Sequence, residues 1–316
     1  MREGVQGEAG PLRVRGSLAA PRPGAGDRSP PPNLSRYRPA LLAGVIAISS
    51  ASILIRWSAA PPLAVVAHRL VYTSAVMAAA SAGGLRSLSS LTRREWVLLL
   101  ASGLVLALHF GSWVYSLYLT SVAASTVIVT SSSIFSAVLS WVLLGEPPSL
   151  REVAGILTAM AGVVLIAWGH SGGDGLLGDL LALVGAVAMA LHMILGRRLR
   201  RVLPVGPYMA AVSGVAGLSL LAVSLSLGDP LLYPAREHLI FLALALGPSC
   251  LGHTAYNYAL KRLRAYAVGA ATMGEPLGAS ILAALLLGEV PSLQTAVGGI
   301  IIALGVYAVL GARSAA

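Results

Sequence analysis

Charge is scarce in this sequence. Charged residues make up 11% of its 316 positions, against about 25% in soluble globular domains, and so poor a supply cannot coat a globule of this length. Cysteine is almost missing as well. The single Cys250 excludes an intrachain disulfide and leaves the redox compartment unread. Residues 1–38 contain no apolar run, so no signal-peptide core precedes the first hydrophobic segment. Metal-ligand spacing is lacking too, because His170 with Asp174, and Glu237 with His238, are too sparse for a site. Gly173-Asp174-Gly175-Leu176-Leu177-Gly178 fits GxGxxG, but it follows an apolar helix rather than a strand and implies no nucleotide cofactor.

Oil is what the chain has: 56% of it is hydrophobic, with 35 glycines besides. A membrane helix needs about 20 apolar residues, and breaker or charge clusters divide the sequence into ten such pieces. They run near 39–57, 62–82, 95–119, 122–144, 150–169, 176–197, 205–227, 238–260, 265–287 and 293–312. The net charge of +10 would suggest nucleic acid in a soluble protein, but here it reports orientation. With the N-terminus inside, all but three of the 22 Lys and Arg residues fall at cytoplasmic positions, the exceptions being Arg56, Arg69 and Arg236. Both termini are therefore expected in the cytoplasm. Residues 1–38, rich in Pro, Gly and Arg, read as a disordered basic tail with no nucleic-acid role.

The most informative feature is an internal repeat. Leu143-Leu144-Gly145-Glu146-Pro147-Pro148-Ser149-Leu150 returns as Leu286-Leu287-Gly288-Glu289-Val290-Pro291-Ser292-Leu293, and the same offset carries Gly155 onto Gly298 and Gly162 onto Gly305. Each half then holds five spans, over 39–169 and 176–312. An odd number makes the second copy enter the membrane upside down. These two motifs, Pro276 in span nine and the glycine-bearing spans five and ten resemble the EamA family of the drug/metabolite transporter superfamily. Two departures stand out: Ser133 occupies the place where the repeat would match Pro276, and the basic tail has no counterpart role. The resemblance implies a small-metabolite carrier, with spans one to four and six to nine lining the site and five and ten bracing it.

Glu275 is the leading site candidate. It sits mid-span within Gly274-Glu275-Pro276, where an acid is costly enough to mark an ion or substrate path, and Pro276 loosens the preceding turn. It would exchange a proton or meet a substrate amine; the plain alternative is a neutral side chain bonded to a neighbouring helix. Arg69 in span two is the countercharge, unless it snorkels outward. His109 and His253 occupy matching spans, and each is balanced between ligand contact and a helix-to-helix hydrogen bond. Helical spacing puts Ser102, His109, Trp113 and Ser116 on one stripe; Ser249, His253 and Asn257 form another with Tyr256 beside it. Gly185, Met189, His192 and Gly196 form a third. Trp113 and Tyr256 could stack on an aromatic or cationic solute. Glu146 and Glu289 read as helix-end residues, Ser149 with Glu152 as a capping box, and the paired glycines as a close helix contact or a dimer face.

The expected protein is an all-α polytopic membrane protein of ten helices in two inverted five-helix repeats, without cofactor or enzymatic activity, monomeric or homodimeric. Its partners would be the lipid bilayer and a small-molecule substrate, with protons as coupling ion. Export of amino acids or similar metabolites across the cytoplasmic membrane by alternating access is the first expectation, and efflux of lipophilic cationic drugs the second. A membrane enzyme or lipid-handling protein is the third; it should gather its polar groups at one interface rather than at mid-depth.

Overall fold

The computed structural model describes residues 37–120, 122–167, 175–287 and 292–311. Residues 1–36 of the basic tail, His170, Gly173, Asp174 and Glu289 lie outside the described residues, whereas Arg38 already belongs to the first helix. Among the described residues there are ten long helical segments, besides a short 3-10 turn at Ala82–Gly84 and a single helical turn at Arg86–Ser89. Helix α1 comprises Arg38–Ser49 and Ala51–Trp57, α2 is Pro62–Ala80, α3 is Arg93–Leu119, and α4 comprises Val122–Thr130 and Ser132–Leu144. Helix α5 is Leu150–Ala167, α6 is Leu176–Leu199 and α7 is Val205–Ser226. Helix α8 joins Ala235–Leu244 to Thr254–Leu260 through a π-helical stretch, Ala245–His253. Helix α9 comprises Ala265–Thr272 and Glu275–Leu287, and α10 is Leu293–Gly311.

Among the described residues, nine of these segments are long and apolar enough to cross a membrane. The other, α5, has 18 residues and lies along α10. Large apolar side chains such as Leu42, Leu104, Val142, Leu218, Leu239 and Leu285 project outward. A belt of that size marks a surface that meets something other than water, here the lipid.

Local chemistry sets the ends. Thr92 caps α3, with Glu95 N–H donating to Thr92 Oγ1 at 3.3 Å and Thr92 N–H to Glu95 Oε2 at 2.7 Å. The box expected at Ser149 is present at α5, where Ser149 N–H donates to Glu152 Oε2 at 2.7 Å. Helix α4 stops at Gly145, whose φ of 66° favours glycine, and Glu146 N–H returns to Ser140 O at 3.0 Å.

Packing follows the repeat. Helix α2 lies on α7 and α5 on α10, while the α3–α6 contact of one kind is matched by α1 on α8. The paired glycines explain the α5–α10 contact. A Cβ on Gly155 would stand 2.8 Å from Gly305 O, and one on Gly162 would stand 2.6 Å from Gly298 O. The glycines thus serve a close contact within the chain.

Three features differ from a reading by hydropathy. Helix α4 is interrupted at Ser131 although it has no proline, and α9 is interrupted at Met273-Gly274. Ser131 and Gly274 are related by the repeat offset, so both halves break at one place. In α8, Pro248 has no N–H to continue an α pattern, and the π-helical stretch around it absorbs the mismatch. The helix also starts at Ala235, directly after Pro234, instead of near residue 238.

Candidate functional site

A cleft opens between α2, α3, α6, α7 and α8. It is lined by Leu70, Leu106, Phe110, His192, Met209, Val212, Ser213, Ser249, His253 and Asn257. As it stands it is narrow, about one water across. Its polar wall comes from α8, where the π-helical stretch and the turn after it present Ser249, His253 and Asn257 together.

Arg69 stands behind this wall. It is 3% exposed, and its Nε donates to Ser249 Oγ at 2.7 Å. The guanidinium carbon lies 5.3 Å from the centre of the Phe110 ring, a cation–π contact. Burial at this level does not fit a side chain that snorkels to the surface. Nε to Ser249 is the one side-chain hydrogen bond of Arg69 among the described residues, so its two terminal nitrogens stay available. Neither Ser249 as its anchor nor Phe110 as its platform is legible from sequence, because both contacts cross between helices.

The histidines divide by what holds them. His109 has Nδ1 2.9 Å from Gly185 O and its ring stacked on Trp113 at 6.3 Å, so it joins α3 to α6. Gly185 keeps this approach open, since a Cβ there would meet Ser112 Oγ at a tight 3.2 Å. His192 has Nδ1 3.2 Å from Ser102 O, and Ser102 Oγ lies 3.2 Å from Tyr208 OH. His253 faces the cleft, edge-on to Phe110 and Tyr256. Asn257 donates through Nδ2 to His253 O at 2.9 Å, leaving Oδ1 buried without a partner. Arg69, His109 and His192 all act electrostatically on His253. The four cationic or titratable groups that the sequence scattered over α2, α3, α6 and α8 therefore share one neighbourhood.

Glu275 begins the second part of α9, after the break. Its side chain is half-buried, and its backbone oxygen accepts from Ser49 Oγ at 3.2 Å. It interacts electrostatically with Arg69 and with Tyr256. Among the described residues no Arg69–Glu275 contact comes within 4 Å. Tyr256 OH and Trp113 Nε1 are buried without partners. Trp113 also lines a second, apolar cavity of about 170 Å³ with Ile55, Pro62, Val65, Val66, Val114, Leu117 and Tyr118.

Polar contacts tie both ends of the bundle. At the arginine-rich end, Arg197 Nη2 donates to Glu146 Oε1 at 3.0 Å and Arg201 Nη2 to the same oxygen at 3.4 Å. Arg197 Nη1 reaches Leu260 O at 3.1 Å, and Arg198 Nη2 reaches Leu143 O at 2.6 Å. Glu146, just past the end of α4, thus accepts ion pairs from Arg197 of α6 and from Arg201 beyond it, and Arg197 carries the contact on to α8. At the other end Ser58 Oγ donates to Glu237 Oε2 at 2.5 Å, and Thr120 Oγ1 to Asp179 Oδ1 at 2.7 Å. Gly175 and Gly178 of the apparent nucleotide motif have a packing role here: a Cβ on either would run into Leu119 backbone within 2.8 Å.

Comparison with known proteins agrees with this architecture. The model of the EamA-like transporter family matches residues 39–168 and again 176–311. An uncharacterized transporter of Archaeoglobus fulgidus is 26% identical over 231 residues, covering 70% of this chain and 78% of the relative. A second uncharacterized transporter of that organism is 24% identical over 222 residues, covering 65% and 75%. A solved crystal structure superposes with a TM-score of 0.76 at 22% identity, over 87% of this chain and 96% of that one, a likeness of fold.

Proposed function

This chain belongs to the EamA-like transporter family, and on that premise we propose that it exports amino acids or similar small metabolites across the cytoplasmic membrane by alternating access. The observation that carries the reading is the separation of charge at mid-depth. Arg69 is buried with its terminal nitrogens uncommitted, and Glu275 lies within electrostatic reach but not in contact. Isolated charges in a membrane interior are expensive. A zwitterion would relieve both, its carboxylate meeting Arg69 and its amine Glu275. The distribution of Lys and Arg supports placing the Glu146–Arg197 end in the cytoplasm, where these contacts close the site in the arrangement described.

Proton coupling is assigned to Glu275, since a carboxyl group that faces substrate from inside the bilayer can exchange a proton as substrate leaves. Lipophilic cations are the second reading, favoured by the apolar cavity under Trp113. Purified protein in liposomes, offered amino acids and cationic drugs with and without a pH gradient, separates the two. Amino-acid movement driven by the gradient is expected of the natural chain, and Glu275→Gln should abolish the dependence on the gradient. If Glu275→Gln keeps gradient-driven transport, Glu275 is not the coupling group.

A further inference from the structure

We propose that the part of the cleft nearest the arginine-rich end is a subsite for a neutral carboxamide, so that among amino acids the transporter selects glutamine- or asparagine-type side chains. The proposal rests on the amino-acid reading above and adds the side-chain class. Among the described residues, two buried polar atoms lack partners there: Asn257 Oδ1 on α8 and Ser213 Oγ on α7. Both residues line the cleft together with His192. The Asn257 amide cannot turn to offer a donor, because Nδ2 is held by His253 O at 2.9 Å. Its free atom is therefore an acceptor only.

His192 adds a second acceptor. Its Nδ1 lies 3.2 Å from the carbonyl oxygen of Ser102 and 3.1 Å from Ser102 Oγ; the carbonyl can only accept, so the tautomer that satisfies both contacts carries the proton on Nδ1, and a neutral ring then offers Nε2 as an acceptor. Ser213 supplies a hydroxyl that can donate. The wall thus asks for a ligand with two N–H donors and one acceptor. An unpaired acceptor in such an interior carries a desolvation cost that a ligand donor removes. Among the described residues no Asp or Glu lines the cleft, and Arg200 Nε donates to Asn257 O at 3.0 Å just beyond it. Cations are thereby disfavoured, and a neutral donor is preferred. A carboxamide satisfies all three groups, its two N–H bonds directed at Asn257 Oδ1 and His192 Nε2 and its carbonyl at Ser213. A hydroxyl offers one donor, and an aliphatic side chain offers none. The narrow cleft admits such a side chain as the helices part during the transport cycle.

The test is efflux of radiolabelled L-glutamine and L-leucine from liposomes containing the full chain, with Asn257→Leu and Ser213→Ala beside it. The natural chain should favour glutamine by at least about tenfold, as a site built to bond a polar group rejects an analogue without it. Asn257→Leu should bring the ratio close to one, and Ser213→Ala should lower it by roughly threefold. Where Asn257→Leu yields no monodisperse protein, Ser213→Ala alone decides. Leucine moved as well as glutamine by the natural chain, or a ratio unchanged in the variants, overturns the subsite and leaves amino-acid export standing. The second result is also what a water bridging the two orphan atoms would give. If neither amino acid moves, the amino-acid reading falls and the subsite with it.

Discussion

The contact between α5 and α10 admits a sharp test, Gly162→Ala. The added Cβ would lie 2.6 Å from Gly298 O and 2.8 Å from Ile302 N, where ordinary contact begins at 3.4 Å. Both obstructing atoms are backbone, so no rotamer change relieves them. The helices must separate by about 0.8 Å, the shortfall from 3.4 Å at Gly298 O. Overpacking of this kind costs roughly 1–3 kcal/mol, and the better helix propensity of alanine returns up to about 1 kcal/mol. A net loss of up to about 2 kcal/mol follows, or up to several degrees in melting temperature. Thermal unfolding of detergent-purified protein, followed by size-exclusion chromatography, reads it. Gly305→Ala, with a Cβ 2.4 Å from Ala159 N, should lose a similar amount, since the repeat makes the two positions equivalent. Gly111→Ala is the control, because its nearest neighbour is the flexible Leu220 Cδ2 at 3.4 Å; it should match or exceed the natural chain. Equal melting temperatures for Gly162→Ala and Gly111→Ala would refute the close-contact argument.

Other outcomes follow from the same structure. Glu146→Gln removes the acceptor of Arg197 and Arg201; at partial exposure this should cost about 1–3 kcal/mol and open the arginine-rich end. A Cys250→Ser chain carrying Asn257→Cys should then react several-fold faster with an impermeant maleimide, and an unchanged rate would show that the ion pair does not hold that end. Arg69→Lys keeps the charge but loses the fork that reaches Ser249 and lies over Phe110. Transport should fall by more than about tenfold, with a smaller loss in Ser249→Ala; equal activity would mean that charge alone suffices. Pro248→Ala should let α8 revert toward α geometry and turn Ser249 away from Arg69, lowering transport without lowering the melting temperature. Full activity would separate the π-helical stretch from function.

Much of the scaffold was legible along the chain because each segment had to meet lipid or end in water. Pro62, Pro204 and Pro234 begin helices, Gly145 ends one, and Ser149 with Glu152 caps another, each by chemistry confined to a few neighbouring residues. The paired glycines announced a close contact but not its partner. Interruptions were harder. Pro276 advertised the break in α9, while the matching break at Ser131 carries no local signal and is explained by its place in the repeat. Pro248 stands in α8, but whether a proline kinks, breaks or widens a helix depends on what surrounds it.

The candidate site shows the same division. Sequence periodicity identified Glu275, Arg69, His109, His192, His253, Trp113, Tyr256 and Asn257 as polar or aromatic groups at mid-depth, since such residues are costly in lipid wherever they occur. It could not tell which of them would be spent on one another. Only the folded bundle gives His109 to Gly185, Arg69 to Ser249 and Glu146 to Arg197, and leaves Asn257 Oδ1 and Ser213 Oγ unpaired. The sequence by itself determined the apolar segments, the repeated motif and the family resemblance, because burial in a bilayer constrains every helix separately. Tertiary structure decided which polar groups are free to meet a solute, because a hydrogen bond between helices depends on angles and distances that no single helix contains.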